Sequence, residues 1–106
     1  MLTIAKTGRI EKEEISKNYF NKMAKTRIAL IQMKMSSDLQ KNMNSALKRI
    51  KEASKKKAKI ICLPELFLSN YFCQKEKHSN FNLAEKIPGK TTNILCTLAK
   101  ELKVII

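Results

Sequence analysis

Short apolar runs alternate with longer amphipathic stretches along residues 26–106, and this order predicts strand, helix, strand, helix, strand. The first run covers residues 28–31, and its nearly unbroken apolar character is typical of a strand covered on both faces. Two further runs, residues 59–63 and 104–106, have the same character. Strands separated by helices pair in parallel, so the pattern predicts a parallel sheet with right-handed crossovers.

The first predicted helix follows the polar run Ser36-Ser37-Asp38. Ser37 as the N-cap, with Gln40 three residues later, fits a capping box. One apolar stripe then recurs at helical spacing: Leu39, Met43, Leu47, Ile50 and Ala53 or Ser54. Lysines at residues 55–57 fall in the last turn, where cations interact favourably with free carbonyl groups.

Residues 69–82 are polar with scattered aromatic side chains and are predicted to form a loop with room for a short helix. Pro88 and Gly89 interrupt the chain, and a second amphipathic helix is expected from about Thr91. Its apolar side comprises Ile94, Leu95, Leu98 and Leu102. Two helices can cover only one face of a three-stranded sheet. The sequence therefore resembles the opening part of a larger α/β domain.

Residues 1–25 differ from the rest because they are charged and only weakly periodic. We interpret them as an N-terminal extension that is either disordered or not part of the native protein. It precedes a folded region over residues 26–106. Met23 stands just before the first predicted strand. Our hypothesis is that Met23 is the true initiator, or that residues 1–22 form a dispensable arm.

The length of 106 residues fits one small domain or a piece of a larger one, and 43% hydrophobic residues predict a buried core. No apolar run approaches the roughly 18 residues of a membrane span. The N-terminus has no long apolar stretch and soon reaches three glutamates, which argues against a secretory signal. With three cysteines, an odd number, these features favour a cytoplasmic protein with reduced thiols.

The formal net charge is +13, from 22 Lys and Arg against 9 Asp and Glu, and this excess raises the possibility of a basic binding module. The lysines are spread along the chain, however, and only three arginines accompany them. Nucleic-acid recognition by stacking and bidentate contacts would need more arginine and aromatic side chains. The composition therefore favours a protein that binds neither nucleic acid nor membrane.

A metal site is not predicted. Cys62, Cys73 and Cys96 are too widely spaced for zinc ligation and lack companion histidines, since His78 stands alone in a polar loop. Cys62 falls in a buried strand pattern and Cys96 on an apolar helix face, where cysteine behaves as a small hydrophobe.

Glu65 is the strongest candidate for chemistry. It follows the strand at residues 59–63 and Pro64, which ends that strand. In open α/β sheets, sites form beyond the carboxyl ends of parallel strands. Taken alone, a glutamate here is more often solvated or starts a helix than catalytic.

The surrounding residues change that interpretation. RIALIQM at residues 27–33, LPELF at 63–67, YFCQ at 71–74 and AEKIPG at 84–89 together resemble the nitrilase, or carbon–nitrogen hydrolase, superfamily. YFCQ points within it to the branch that hydrolyses N-carbamoylputrescine. The resemblance covers about residues 27–106 and implies an αββα four-layer sandwich, of which this chain holds the opening β-α-β-α-β part.

The resemblance also implies a Glu–Lys–Cys triad, often with a second glutamate. Glu65 matches the general base that takes the proton of the cysteine thiol, while the lysine would stabilise the oxyanion. Both partners lie later in the family's chain than Ile106, and none of the three cysteines here occupies the nucleophile's position. The fragment alone is therefore expected to be inactive.

The remaining expectations follow from the same resemblance. Tyr71, Phe72 and Gln74 are candidates for substrate binding, although Phe72 could equally serve as an anchor for its loop. The substrate would be a carbamoylated amine, with N-carbamoylputrescine converted to putrescine, carbon dioxide and ammonia. No cofactor or metal is needed, and the full-length enzyme would be a homo-oligomer. The alternatives are a non-catalytic truncated product, which survives by pairing with a full-length subunit, or a basic binding module.

Two positions depart from the family pattern. Family members tend to place glycine at the ends of both helices, where this chain has Lys57 and Lys103. A residue other than glycine in a left-handed cap costs roughly 1 kcal/mol. We expect either different turns or lower stability, with no effect on the chemistry.

Overall fold

The computed structural model describes residues 2–6, 25–73 and 76–106. They form strands β1 (Leu2–Lys6), β2 (Arg27–Ile31) and β3 (Ile60–Cys62), and helices α1 (Leu39–Lys55) and α2 (Lys90–Leu102). A 3₁₀ helix covers His78–Leu83. The described strands form one sheet in the order β1-β2-β3.

The parallel sheet predicted from the sequence is confirmed for β2 and β3. Helix α1 connects these two strands, and Ile28 pairs with Ile60 in parallel register. Beyond α2, Ile105 forms an isolated parallel bridge with Ile60. The Ile61 N–H donates to the Ile105 carbonyl at 2.8 Å, and the Ile105 N–H donates to the Lys59 carbonyl at 2.9 Å. The third predicted strand is thus present only as this bridge, with the predicted direction.

Strand β1 was not predicted. It pairs antiparallel with β2, with Leu2 opposite Ile31 and Lys6 opposite Arg27. It falls within residues 1–25, which the charge pattern assigns to an extension. Met23, the proposed initiator, lies outside the described residues, and the extension stays a prediction.

The core lies on one face of the sheet, between the strands and both helices. Its buried members are Ala29, Ile31, Ile50, Ala53, Ala58, Ile61 and Leu98. Side chains alternate across a strand, so neighbours of the core residues point to the opposite face. On that face Leu30 is 45% exposed and Ile105 is 66% exposed. Both helices therefore cover the same side, and the described residues leave the other side of the sheet, its open face, uncovered.

Helix α1 begins one residue later than the predicted capping box requires. Asp38, rather than Ser37, is the N-cap: its carboxylate accepts a hydrogen bond from the Lys41 N–H at 2.9 Å. The buried side is also rotated from the predicted stripe. Leu39 is exposed, whereas Asn42 and Ala46 are buried together with Met43, Ile50 and Ala53. None of the helices in the described ranges is both long and apolar enough to cross a membrane.

Both helices end in Schellman motifs that contain lysine where the backbone turns left-handed. Lys57 has φ 64° and Lys103 has φ 53°. The Ala58 N–H donates to the Ala53 carbonyl and the Val104 N–H to the Ala99 carbonyl, both at 3.1 Å, the pattern that defines this motif. Of the two expected alternatives, different turns or less stable left-handed caps, the structure shows left-handed caps, and lysine bears the steric cost of a Cβ in each.

Replacing Lys57 by glycine should stabilise the chain. Glycine removes the left-handed strain from the folded state, which raises stability, but its backbone freedom stabilises the unfolded state. We expect a net increase of about 0.5 kcal/mol in the free energy of unfolding. Lys56 is the matched control because its φ of −81° is ordinary for any residue. Lys56→Gly should lower stability by roughly 0.5–1 kcal/mol. Urea denaturation of both variants measures the difference, and equal losses would contradict a strained cap at Lys57.

Candidate active site

Glu65 lies at the edge of the sheet where the carboxyl ends of β2 and β3 meet. Strand β3 ends at Cys62, Leu63 and Pro64 follow, and a turn covers residues 65–68. The Ser69 N–H closes this turn by donating to the Leu66 carbonyl at 3.3 Å. Because β2 and β3 are parallel, this edge is the one at which sites form in open α/β sheets.

A cleft of about 940 Å³ opens beside this turn. Its walls come from the first residue of α1, the turn after β3, the loop that follows, the 3₁₀ helix and the segment that leads into α2. The lining residues are Leu39, Glu65–Ser69, Phe72, Cys73, Glu76, Lys77, His78, Asn80, Phe81, Leu83, Ala84 and Glu85. The size is that of a small-molecule site.

The structure brings two of the four candidate site residues to this cleft. Glu65 and Phe72 line it. Tyr71 is 63% exposed and is not among the lining residues. Gln74 lies outside the described residues. The substrate-binding roles of these side chains stay predictions, with Phe72 the best placed.

Glu65 is exposed. Among the described residues, no hydrogen bond occupies its carboxylate. An exposed carboxylate at the cleft wall is free to accept a proton or a hydrogen bond from a group that enters. A low-dielectric site that strengthens this interaction needs further cover, which the described residues do not supply.

The cysteines are less buried than their sequence positions predict. Cys62 is exposed because it points to the open face of the sheet, opposite its buried neighbour Ile61. Cys96 is exposed because it lies away from the buried Leu98 on α2. Cys73 is exposed and lines the cleft. In the described ranges, no group of three or more His, Cys, Asp or Glu side chains is arranged to hold a metal ion.

The far wall of the cleft is held by contacts at the start of α2. The Glu85 carboxylate accepts hydrogen bonds from the Thr91 N–H at 2.8 Å and from its hydroxyl at 2.9 Å. Gly89, the N-cap, has no side chain to do this. A Cβ at Gly89 would clash with the Lys86 carbonyl oxygen, so this close approach requires glycine.

Sequence reasoning missed Asn42, a buried polar residue of α1 whose side chain reaches the turn after Glu65. The spacing of residues in the sequence did indicate that Asn42 would be buried. Asn42 stands four residues before Ala46 and eight before Ile50, at spacings that place all three on one side of a helix. A polar residue in that row is expected to have buried hydrogen-bond partners.

Comparison with known proteins identifies a family that matches most of the chain. Residues 27–106 match the carbon–nitrogen hydrolase family, so the chain belongs to that family. Members of the family are amidohydrolases. The match includes β2, β3, both helices and Glu65.

Similar proteins include omega-amidases and N-carbamoylputrescine amidases. An omega-amidase of Xenopus laevis is 44% identical over 79 residues, which are 74% of this chain and 27% of that protein. An N-carbamoylputrescine amidase of Solanum lycopersicum is 38% identical over 80 residues, again 74% of this chain and 27% of the relative. The omega-amidase of Homo sapiens is 40% identical over 82 residues, 77% of this chain and 28% of that protein. The chain thus spans about a quarter of the length of these relatives.

Proposed function

We propose that this chain supplies the N-terminal part, including the general base, of a cysteine-dependent amidase. One observation carries the proposal: Glu65 stands at the carboxyl end of a parallel strand and lines a cleft of small-molecule size. Membership of the carbon–nitrogen hydrolase family supports an amide or carbamoyl group as the reacting group. The lysine and the nucleophilic cysteine would come from sequence that follows residue 106.

In the proposed reaction, Glu65 takes the proton of the cysteine thiol, and the thiolate attacks the carbonyl carbon of the substrate. A free thiol has a pKa of about 8.5, so a carboxylate within hydrogen-bond reach promotes formation of the nucleophile near neutral pH. Glu65 then returns the proton to the departing nitrogen as the C–N bond breaks. In the second half, Glu65 takes a proton from the water that attacks the acyl-enzyme and returns it to the cysteine sulfur as the C–S bond breaks.

We further propose N-carbamoylputrescine as the substrate, with putrescine, carbon dioxide and ammonia as products. The segment YFCQ, whose Phe72 lines the cleft, and the similarity to N-carbamoylputrescine amidases support this choice. Hydrolysis of an ω-amide is the second candidate, because several omega-amidases are equally or more similar to this chain.

The open face of the sheet supports the four-layer αββα arrangement for the complete enzyme. Apolar side chains on this face are partly exposed, Leu30 by 45% and Ile105 by 66%. Covering such a face with a second sheet removes apolar area from water and contributes about 25 cal/mol per Å².

An ammonia-release assay on the native polypeptide that contains this chain tests the proposed function. We expect turnover of N-carbamoylputrescine that disappears after alkylation of cysteine, and no turnover by residues 1–106 alone. Faster hydrolysis of an ω-amide would select the second candidate. Absence of turnover with both substrates would reject the amidase proposal.

A further inference from the structure

Asn42 is the most deeply buried polar residue among those described, with 2% of its surface exposed. All of its side-chain hydrogen bonds go to two loops outside its own helix. Its Nδ2 donates to the Ser36 carbonyl and to the Leu68 carbonyl, both at 2.8 Å. Its Oδ1 accepts from the Ser36 N–H at 2.8 Å and from the Ser36 hydroxyl at 3.1 Å.

These two loops follow neighbouring parallel strands. Ser36 belongs to the connection after β2, and Leu68 ends the turn that begins at Glu65. Pro64 restricts the backbone just before Glu65 because its ring fixes φ. The bond from Asn42 to Leu68 holds the other end of the same turn. Glu65 is therefore held between a rigid residue on one side and a partly buried hydrogen bond on the other.

Leu39 connects this arrangement to the cleft. It lies one helical turn before Asn42 on α1 and lines the cleft together with Glu65 and Leu68. The same end of α1 thus forms part of the cleft wall and fixes the turn that carries the carboxylate. A shift of this turn relative to α1 would change the distance between Glu65 and anything bound in the cleft.

We propose that Asn42 is a positioning residue, which holds the turn at residues 65–68 so that Glu65 faces the cleft in one fixed geometry. The effect of Asn42 on catalysis rests on the proposed function, whereas its role in holding the turn does not. A misplacement of about 1 Å at a catalytic group can cost about 100-fold in rate, so a residue far from the substrate can matter for turnover.

Hydrogen exchange in residues 1–106 tests the structural part without any assay of activity. Asn42→Asp keeps both acceptor contacts to Ser36 but removes both donations. Two amides report the result: the Ser69 N–H closes the turn, and the Ile61 N–H lies in the sheet core. We expect Ser69 to exchange about 10-fold faster, as for loss of one hydrogen bond, while Ile61 stays within about 3-fold.

Asn44 provides the matched control because it lies two residues further along α1, on the exposed side, where it accepts a bond from Gln40. Asn44→Asp should change neither amide. Asn42→Ala avoids a new buried charge and should act like Asn42→Asp, so a variant that fails to fold does not end the test. Equal acceleration at Ser69 and Ile61, or none at Ser69, would overturn the inference.

Kinetics of the complete amidase test the catalytic part. Asn42→Asp should lower kcat about 10- to 100-fold, the range found for residues that orient a catalytic group, with KM within about 3-fold. Unchanged kcat in a variant whose turn is loosened would overturn the positioning role. If the wild-type enzyme hydrolyses neither candidate substrate, the proposed function fails, and hydrogen exchange alone decides whether Asn42 holds the turn.

Discussion

Replacing Glu65 by glutamine should lower kcat/KM of the complete amidase by about 100- to 10,000-fold, the range for loss of a general base. Glutamine preserves the size of the side chain but cannot accept a proton from a thiol or from water. Both half-reactions of the proposed mechanism need that transfer, so formation and hydrolysis of the acyl-enzyme should slow together. Stopped ammonia-release assays at several substrate concentrations measure the change.

The matched control is Glu101→Gln, which makes the same replacement at an exposed position of α2 away from the cleft lining. It should leave kcat/KM within about 2-fold, since surface substitutions usually have small effects. Glu65 is itself exposed, so Glu65→Gln should not unfold the protein. Retention of wild-type kcat/KM by Glu65→Gln would exclude this carboxylate as the general base.

The largest effect on stability is expected at Ile50. Its side chain is fully buried at the centre of α1 and packs in the cluster that joins α1, α2 and the sheet. Ile50→Ala removes buried methylene groups and leaves a cavity, which costs about 2–5 kcal/mol. Because domains of this kind are stable by only about 5–15 kcal/mol, this loss is a large part of the total.

Ile87 offers the same substitution at a solvated position, since its side chain is 87% exposed. Ile87→Ala should change the free energy of unfolding by less than about 0.5 kcal/mol. Urea denaturation followed by circular dichroism compares the two variants. A similar small effect for both would show that α1 does not pack on the sheet as described.

The sequence predicted those parts of the fold that local patterns determine. Alternating apolar runs placed β2, α1, β3 and α2 within one or two residues, because strand and helix periodicity are local properties. At Lys57 and Lys103 the sequence left two alternatives open, different turns or strained left-handed caps, and the structure shows left-handed caps. Strand β1 was missed because its pairing depends on a partner about 25 residues away, and its own residues carry little periodic signal.

The candidate site was predicted in part. Glu65 could be found because a strand end, a proline and a carboxylate follow each other directly in the sequence. Its exposure could not be predicted, because burial depends on what covers the open face of the sheet. Asn42 was missed for a related reason: its partner Leu68 lies 26 residues away, and only the fold brings the two together. The exposure of Cys62 likewise depends on which face of β3 the helices cover.

Trapping the acyl-enzyme tests most directly whether Glu65 serves as base to a cysteine that follows residue 106. The native polypeptide and its Glu65→Gln variant would be mixed with substrate, quenched with acid and mapped by peptide mass spectrometry. We predict an adduct on a cysteine other than Cys62, Cys73 and Cys96, formed at least about 100-fold more slowly in the variant. An adduct on one of those three cysteines, or equal rates of formation, would contradict it.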